Sequence, residues 1–276
     1  MYVCTRFVYT YIYMVLHPNP KINIGLFVVA ERADGFHDIE TVFYPLTEPT
    51  DTLEIEPVEH GIDFAVTNAD IGSEDNNLCV RAFRALQEAC CFQGGVRMRL
   101  TKHIPVGAGL GGGSSDAAAV LNATNSIYGL KLNNEELRKI AAGIGSDVPF
   151  FIDNRPAFAT GKGEKLIPID LDLAGKRVSL IKPPFSMSTA EAYKAIESKP
   201  APFDLRKLPH LPISEWKHLI TNDFEKPLFE KFPVLAAAKE RLYAVGADFV
   251  LLSGSGSALY AIGDNDYGLP SGFFGC

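Results

Sequence analysis

Several absences narrow this sequence before any motif is read. No uninterrupted apolar run in its 276 residues approaches the roughly 20 that a membrane-crossing helix needs. Basic excess is missing too. Lys and Arg number 26 against 33 Asp and Glu, a formal charge of −7. That argues against a nucleic-acid binder that works by neutralising phosphates, although a local basic groove stays open. The five cysteines (Cys4, Cys79, Cys90, Cys91, Cys276) are odd in number and scattered, with no C-x-x-C pair. They suggest a reduced, cytosolic chain without structural zinc or disulfides. There is no internal repeat and no low-complexity tract. The N-terminal stretch MYVCTRFVYTYIY carries one arginine and no small-residue cleavage site, a poor signal peptide. It alternates like a strand and precedes Met14, a second possible initiation point. It reads as an extension outside the core fold, disordered or loosely attached.

What remains is an ordinary globular composition, 47% hydrophobic and 21% charged. The length suits two domains or one large α/β domain. KINIGLFVVAER, Lys21 to Arg32, is rich in β-branched and aromatic residues and predicts a strand. IETVFYPL and DTLEIEPV predict two more. In NLCVRAFRALQEACC, Val80, Phe83, Leu86 and Cys90 recur at helical spacing, and VRMRLTKHI then alternates like a strand. Ala117, Val120, Leu121, Thr124 and Tyr128 form a helical stripe. A second helix follows, with Asn134 as its cap, Glu135 and Glu136 at its positive end, and Leu137, Ile140, Ala141 and Ile144 on its apolar face. GSDVPFFID reads as an extended apolar run. Beyond about residue 160 come strands (RVSLIKP, DFVLLSGS, ALYAIG) and helices (STAEAYKAIES, PVLAAAKERLYAVG). Lys199 to Pro212 reads as an exposed loop between them. Strands and helices are mixed rather than strictly alternating, which favours α+β packing over a doubly wound sheet.

PVGAGLGGGSSDAAAV crowds five glycines and two serines into Gly107 to Ser115. Gly107, Gly109 and Gly112 formally match the dinucleotide fingerprint G-x-G-x-x-G. That fingerprint requires strand, loop, helix and a second parallel strand, with an acid about 20 positions on. Here one helix is followed by another, and Glu135 and Glu136 fall inside it. A P-loop needs a lysine beside its Ser or Thr, and GLGGGSSD has none. A flexible linker would stand in polar surroundings, whereas a strand feeds this loop and a helix leaves it. Small residues at a helix start let phosphate oxygens reach backbone N–H groups, where the helix dipole favours anions. A phosphate cradle at Ser114 and Ser115 is the better reading.

That segment resembles the second signature motif of the GHMP kinases, where it is the ATP-phosphate loop. PNPKINIGLFV resembles the family's first motif, and LLSGSGSALYAI (Leu251 to Ile262) its glycine-rich third. The three stand in order and span nearly the whole chain. RADGFHDIETVF, GSDVPFF and AFATGKGE further resemble one branch of the family. That branch phosphorylates the 2-hydroxyl of a cytidyl-diphosphate-linked methylerythritol in the non-mevalonate isoprenoid route. The resemblance implies a two-domain α+β fold. An ATP-binding domain of the ribosomal protein S5 domain 2-like type would cover residues 14–160, and a ferredoxin-like substrate domain residues 161–276. Residues 1–13 would be the extension.

The resemblance also implies roles. Asp147 matches the catalytic base; taken alone it is a loop Asp capping a turn. Lys21 matches its charge partner; taken alone it is a solvated lysine before a strand. Asn23, two residues on and on the same strand face, would orient the substrate hydroxyl. Phe36 and His37 would meet the cytosine, one by stacking and one at its edge. Tyr193 and Thr189 would complete that pocket, although Tyr193 equally fits a core aromatic. Gly107, Gly109, Gly111, Gly112, Gly113, Ser114 and Ser115 would cradle the ATP phosphates, and Asn77 and Lys102 would contact the adenosine. Asp116 either helps hold magnesium through water or sits in the helix's first turn as a favourable charge. Ser253, Gly254, Ser255 and Gly256 would close over the substrate diphosphate, or form an ordinary glycine turn.

The implied cofactors are ATP and Mg²⁺, the ion without a direct side-chain ligand. The implied setting is a cytoplasmic monomer or weak homodimer acting on small molecules, with no nucleic acid and no membrane. Relatives continue through one more strand where this chain ends in GFFGC, which predicts an unpaired sheet edge. Homoserine or mevalonate kinases are the rivals within the family, and the aromatic turn argues for a nucleobase instead. A catalytically dead regulator would lack Asp147 or Lys21. An RNA-binding module is disfavoured by the acidic balance.

Overall fold

The computed structural model describes residues 12–69, 76–185 and 188–269, with Thr189 and Ala190 described by backbone alone. The expectations for residues 1–11, for Cys4 and Cys276, and for the terminal GFFGC lie outside the described residues. The chain divides into two compact units that interleave in sequence. The first comprises Met1–Pro18, Thr50–His103 and Gly113–Ile152. The second comprises Asn19–Pro49, Ile104–Gly112 and Asp153–Cys276.

In the first unit the described strands are β1 (Met14–Leu16), β4 (Thr52–Val58), β5 (Ile62–Thr67) and β6 (Gly95–Thr101). They form a sheet in the order β1-β4-β6-β5, antiparallel except for the β5–β6 pair. The period-2 pattern explains its faces. Leu53, Ile55, Val96, Met98 and Leu100 are buried. On the other face, Glu56 and Asp63 accept from Arg97 at 2.7 and 2.8 Å. The helices are α1 (Leu78–Cys90), α2 (Gly112–Ile127), α3 (Asn134–Ile144) and α4 (Val148–Asp153). Helix α1 buries Val80, Phe83 and Leu86, as the spacing predicts.

The second unit holds two sheets. One runs β2 (Lys21–Glu31), β3 (His37–Pro45), β7 (Ala157–Thr160), β8 (Lys165–Pro168), every pair antiparallel. The other runs β10 (Phe249–Leu252), β11 (Leu259–Gly263), β9 (Arg177–Ile181), also antiparallel. Around them lie α5 (Thr189–Lys194), a 3₁₀ turn Leu205–His210, α6 (Ile213–Leu219), α7 (Glu225–Lys231) and α8 (Pro233–Ala244). Strand β10 feeds two cores by alternation. Phe249 and Leu251 pack with Ile22, Ile24 and Trp216, and Val250 and Leu252 with Leu26, Val28 and Leu235. A register shift between Ile24 and Leu26 lets β2 serve both.

Three expectations need correction. GSDVPFFID is not extended, because Val148–Asp153 forms α4, with Pro149 in the first turn where its fixed φ suits a helix. A short run buried on every side carries no period to separate helix from strand. The cap of α3 is Asn133, not Asn134. Its side chain accepts from Glu136 N, and Glu136 Oε2 accepts from Asn133 N in a capping box. Finally, Lys199 to Pro212 is not simply an exposed loop: Leu205 and Leu208 in its 3₁₀ turn are buried in the first core.

Candidate active site

Lys21 opens β2 and is 2% exposed, far from the solvated lysine that an isolated reading suggests. A buried ammonium is tolerable only where its protons are donated. Its Nζ donates to Asn23 Oδ1 at 2.7 Å and to the Gly109 carbonyl at 3.0 Å, and lies 5.0 Å from the centroid of the Phe43 ring. Alternation along the strand puts Asn23 on the same face as Lys21. The Asn23 amide donates to Thr41 Oγ1 at 3.0 Å, and the Thr41 hydroxyl donates to the Gly25 carbonyl at 2.5 Å. The Tyr260 hydroxyl donates to the Asn23 carbonyl at 2.9 Å. Both ends of Asn23 are therefore fixed.

The same Gly109 carbonyl accepts from Ser253 Oγ at 2.9 Å. Ser253 begins the loop that joins β10 to β11. Gly109 has φ +79°, and a side chain there would put its Cβ 1.9 Å from the Ser253 carbonyl oxygen. Only glycine permits that approach. Across the contact Gly254 has φ +57°, and a Cβ there would lie 3.2 Å from Gly109. Ala258 N donates to the Ala108 carbonyl at 3.1 Å. Segments from three distant parts of the sequence thus interlock within the second unit: Lys21–Asn23, Ala108–Gly109 and Ser253–Ala258.

Phe36 closes the turn before β3, and His37 opens the strand. His37 stacks on Tyr193 of α5, ring centroids 4.7 Å apart and planes 22° apart, and Tyr193 meets Phe224 edge-on at 4.8 Å. Phe36 is 55% exposed, with Lys162 Nζ 4.5 Å from its ring centroid. His37 and Tyr193 thus come together, while Phe36 presents its ring beside them in sequence but toward solvent and Lys162. The Thr189 side chain lies outside the described residues. Ser255 and Gly256 stand in the β10–β11 loop.

The glycine segment runs into α2 at Gly112; in the first unit, Gly113 is exposed, Ser114 half-buried and Ser115 buried. The first N–H groups of a helix have no intrahelical acceptor. Asp116 follows, 2% exposed, and its Oδ2 accepts from Lys102 Nζ at 2.7 Å. Lys102 also donates to Asp51, whose Oδ1 accepts from His103 N at 2.6 Å. Asp116 Oδ1 has no hydrogen-bond partner among the described residues. Burial pushes the Asp116 carboxyl from its ordinary 3.8 up to about 7; the Lys102 charge opposes this and the Asp51 charge adds to it. Burial also acts to lower the Lys102 pKa, but the two carboxylates outweigh it and hold that pKa above its ordinary value. Cys79, wholly buried, has its thiol raised by burial first and by Asp116 next.

Lys102, Asp51 and Asp116 therefore form a buried ion cluster. Asn77, expected at the adenosine, caps α1 by accepting from Cys79 N at 2.8 Å. Asp147 is half-buried in the turn that enters α4. Thr41, Tyr260 and Asp51 were not legible as partners of these groups. Each contact spans at least 18 positions and none has a local motif, so only the strand pairing and the tertiary fold supply it.

Family models match the chain in two places: the GHMP kinase N-terminal domain over residues 77–161 and the GHMP kinase C-terminal domain over residues 205–268. A Parabacteroides distasonis protein named 4-diphosphocytidyl-2-C-methyl-D-erythritol kinase is 42% identical over 250 residues, covering 90% of this chain and 91% of its own. A protein of the same name from Porphyromonas gingivalis is 43% identical over 259 residues, covering 90% and 92%. A crystal structure of 4-(cytidine 5'-diphospho)-2C-methyl-D-erythritol kinase superposes with TM-score 0.74 at 37% identity, covering 91% of this chain and 90% of that one. The chain belongs to the GHMP kinase family, in its 4-diphosphocytidyl-2-C-methyl-D-erythritol kinase branch.

Proposed function

We propose that this protein transfers the γ-phosphate of ATP to the 2-hydroxyl of 4-diphosphocytidyl-2-C-methyl-D-erythritol. The observation that carries the reading is the Gly109 carbonyl, on which the first motif's lysine and the third motif's serine converge. That convergence joins the three family motifs through hydrogen bonds rather than through sequence order alone. The relatives' names then supply the alcohol.

In this reading the 2-hydroxyl oxygen attacks the γ-phosphorus, the bond to the bridging oxygen breaks, and ADP leaves. Asp147 takes the hydroxyl proton. Lys21 supplies positive charge to the reacting oxygens, and Asn23, held by Thr41 and Tyr260, orients the hydroxyl. The N–H groups at Gly113, Ser114 and Ser115 receive phosphate oxygens at the start of α2. Phe36, His37 and Tyr193 receive the cytosine, with Thr189 beside them. Ser253, Gly254 and Ser255 face the substrate diphosphate, and Asn77 and Lys102 serve the adenosine end. Mg²⁺ enters as the partner of the ATP phosphates, whose charge it offsets. The setting we infer is the cytoplasm, with a monomeric or weakly dimeric chain acting on small molecules. Among the described residues no helix is long and apolar enough to cross a membrane.

The test is an ADP-release assay with MgATP and a panel of alcohols. Turnover with the cytidyl substrate, and background rates with homoserine and mevalonate, are expected. Turnover of either of those without the cytidyl substrate would overturn the assignment.

A further inference from the structure

Two backbone carbonyls of the second unit are each shared by one lysine and one serine. Gly109 O accepts from Lys21 Nζ and Ser253 Oγ. Phe185 O accepts from Lys182 Nζ at 2.9 Å and Ser257 Oγ at 2.5 Å. Both serines belong to the β10–β11 loop, so that loop is tied to a lysine at each of its ends. The first lysine belongs to the motifs already described. The second has been assigned nothing.

Lys182 follows β9 directly and is half-buried. Its Nζ also donates to the Pro183 carbonyl at 2.7 Å. Both acceptors are neutral, and among the described residues no carboxylate pairs with it. Burial alone lowers its pKa, with no neighbouring charge holding the proton on. A half-buried cation without a counter-ion is costly unless an anion arrives. Two carbonyls use two of the three ammonium protons and leave one for a ligand. The segment it anchors continues from Phe185, which stacks on Phe232 at 4.3 Å, to α5 and the Tyr193 ring against His37. Lys182 thus stands where the third motif's loop meets the connection that carries the aromatic pair.

We propose that Lys182 is the cation that receives the diphosphate of the cytidyl substrate, and that it holds residues 183–185 against the β10–β11 loop while doing so. The proposal rests on the reading that this unit takes a cytidine diphosphate alcohol. It differs from a purely structural strut, which would position the segment without sensing charge on the ligand.

Calorimetric binding of cytidine, CMP and CDP to the full chain separates the two. The native protein is expected to bind CDP at least about tenfold more tightly than cytidine, as a charge-assisted contact implies. Lys182→Gln, which keeps amide donors for the two carbonyls without the charge, should leave the cytidine Kd within about twofold and remove most of that preference, and Lys182→Arg should restore it. Lys182→Met removes donors and charge together and should weaken both ligands, CDP by the larger factor. A neutral variant that keeps the native CDP-to-cytidine ratio, or that weakens both ligands by one factor, overturns the proposal. Absence of a CDP preference in the native protein also overturns it. Native protein that binds none of the three contradicts the substrate reading first, and the proposal falls with it.

Discussion

Gly109 shows most directly how one residue fixes the candidate site. Its positive φ and the 1.9 Å approach of the Ser253 carbonyl exclude a side chain on two separate grounds. Gly109→Ala should therefore cost about 2 kcal/mol or more of stability, read as a lowered urea midpoint at unchanged m-value. An unchanged midpoint would show that the two loops can part freely. Asp147 and Lys21 make a second residue-scale prediction. Asp147→Asn should lower kcat by roughly 10³-fold while ATP binding stays nearly native, because it removes a proton acceptor rather than a contact. If Lys21 serves the same chemical step, Lys21→Met and Asp147→Asn together should lose little more than the worse single variant. Additive losses would assign the two groups to independent tasks.

Among the elements, the first turn of α2 rests on a buried cluster of one lysine and two aspartates. Burial raises the Asp116 carboxyl to about 7, whereas the unfolded chain releases that proton near 3.8. Between those values the folded chain binds more protons, so this group's stabilising contribution is complete below about pH 4 and is lost as pH rises through about 7. Melting temperatures of native protein and Asp116→Asn across pH 5 to 8 test this. The native value should fall relative to the variant as pH rises; a pH-independent difference would contradict it. Element existence was largely legible in the sequence. The β-branched run of β2 and the helical spacing of α1 appear where the pattern puts them. Boundaries and short buried pieces were not. Asn133 and Asn134 are chemically identical caps, separated only by which one places Glu136 three residues on. Val148 to Asp153 is too short and too uniformly apolar to show a period. Strand β5 was unread because its parallel partner β6 lies about thirty residues away in sequence.

For the whole molecule, a chain of formal charge −7 is proposed to bind two polyanions. Net charge therefore says little, and local placement of Lys21 and Lys182 on shared carbonyls says more. Sequence motifs named Lys21, Asn23, Gly109 and Ser253, but their convergence was not legible, because nothing local ties residue 109 to residue 253. Lys182 was not legible at all, since only the fold gives a lone lysine its acceptors.

The proposed reaction transfers phosphate to one particular oxygen. Phosphorus NMR of the product formed from MgATP and the cytidyl substrate tests it most directly. One new phosphomonoester on the 2-oxygen is expected, with the cytidyl diphosphate intact and ADP formed in equal amount. Phosphate on another hydroxyl, or ATP hydrolysed to free phosphate with the alcohol untouched, would contradict it.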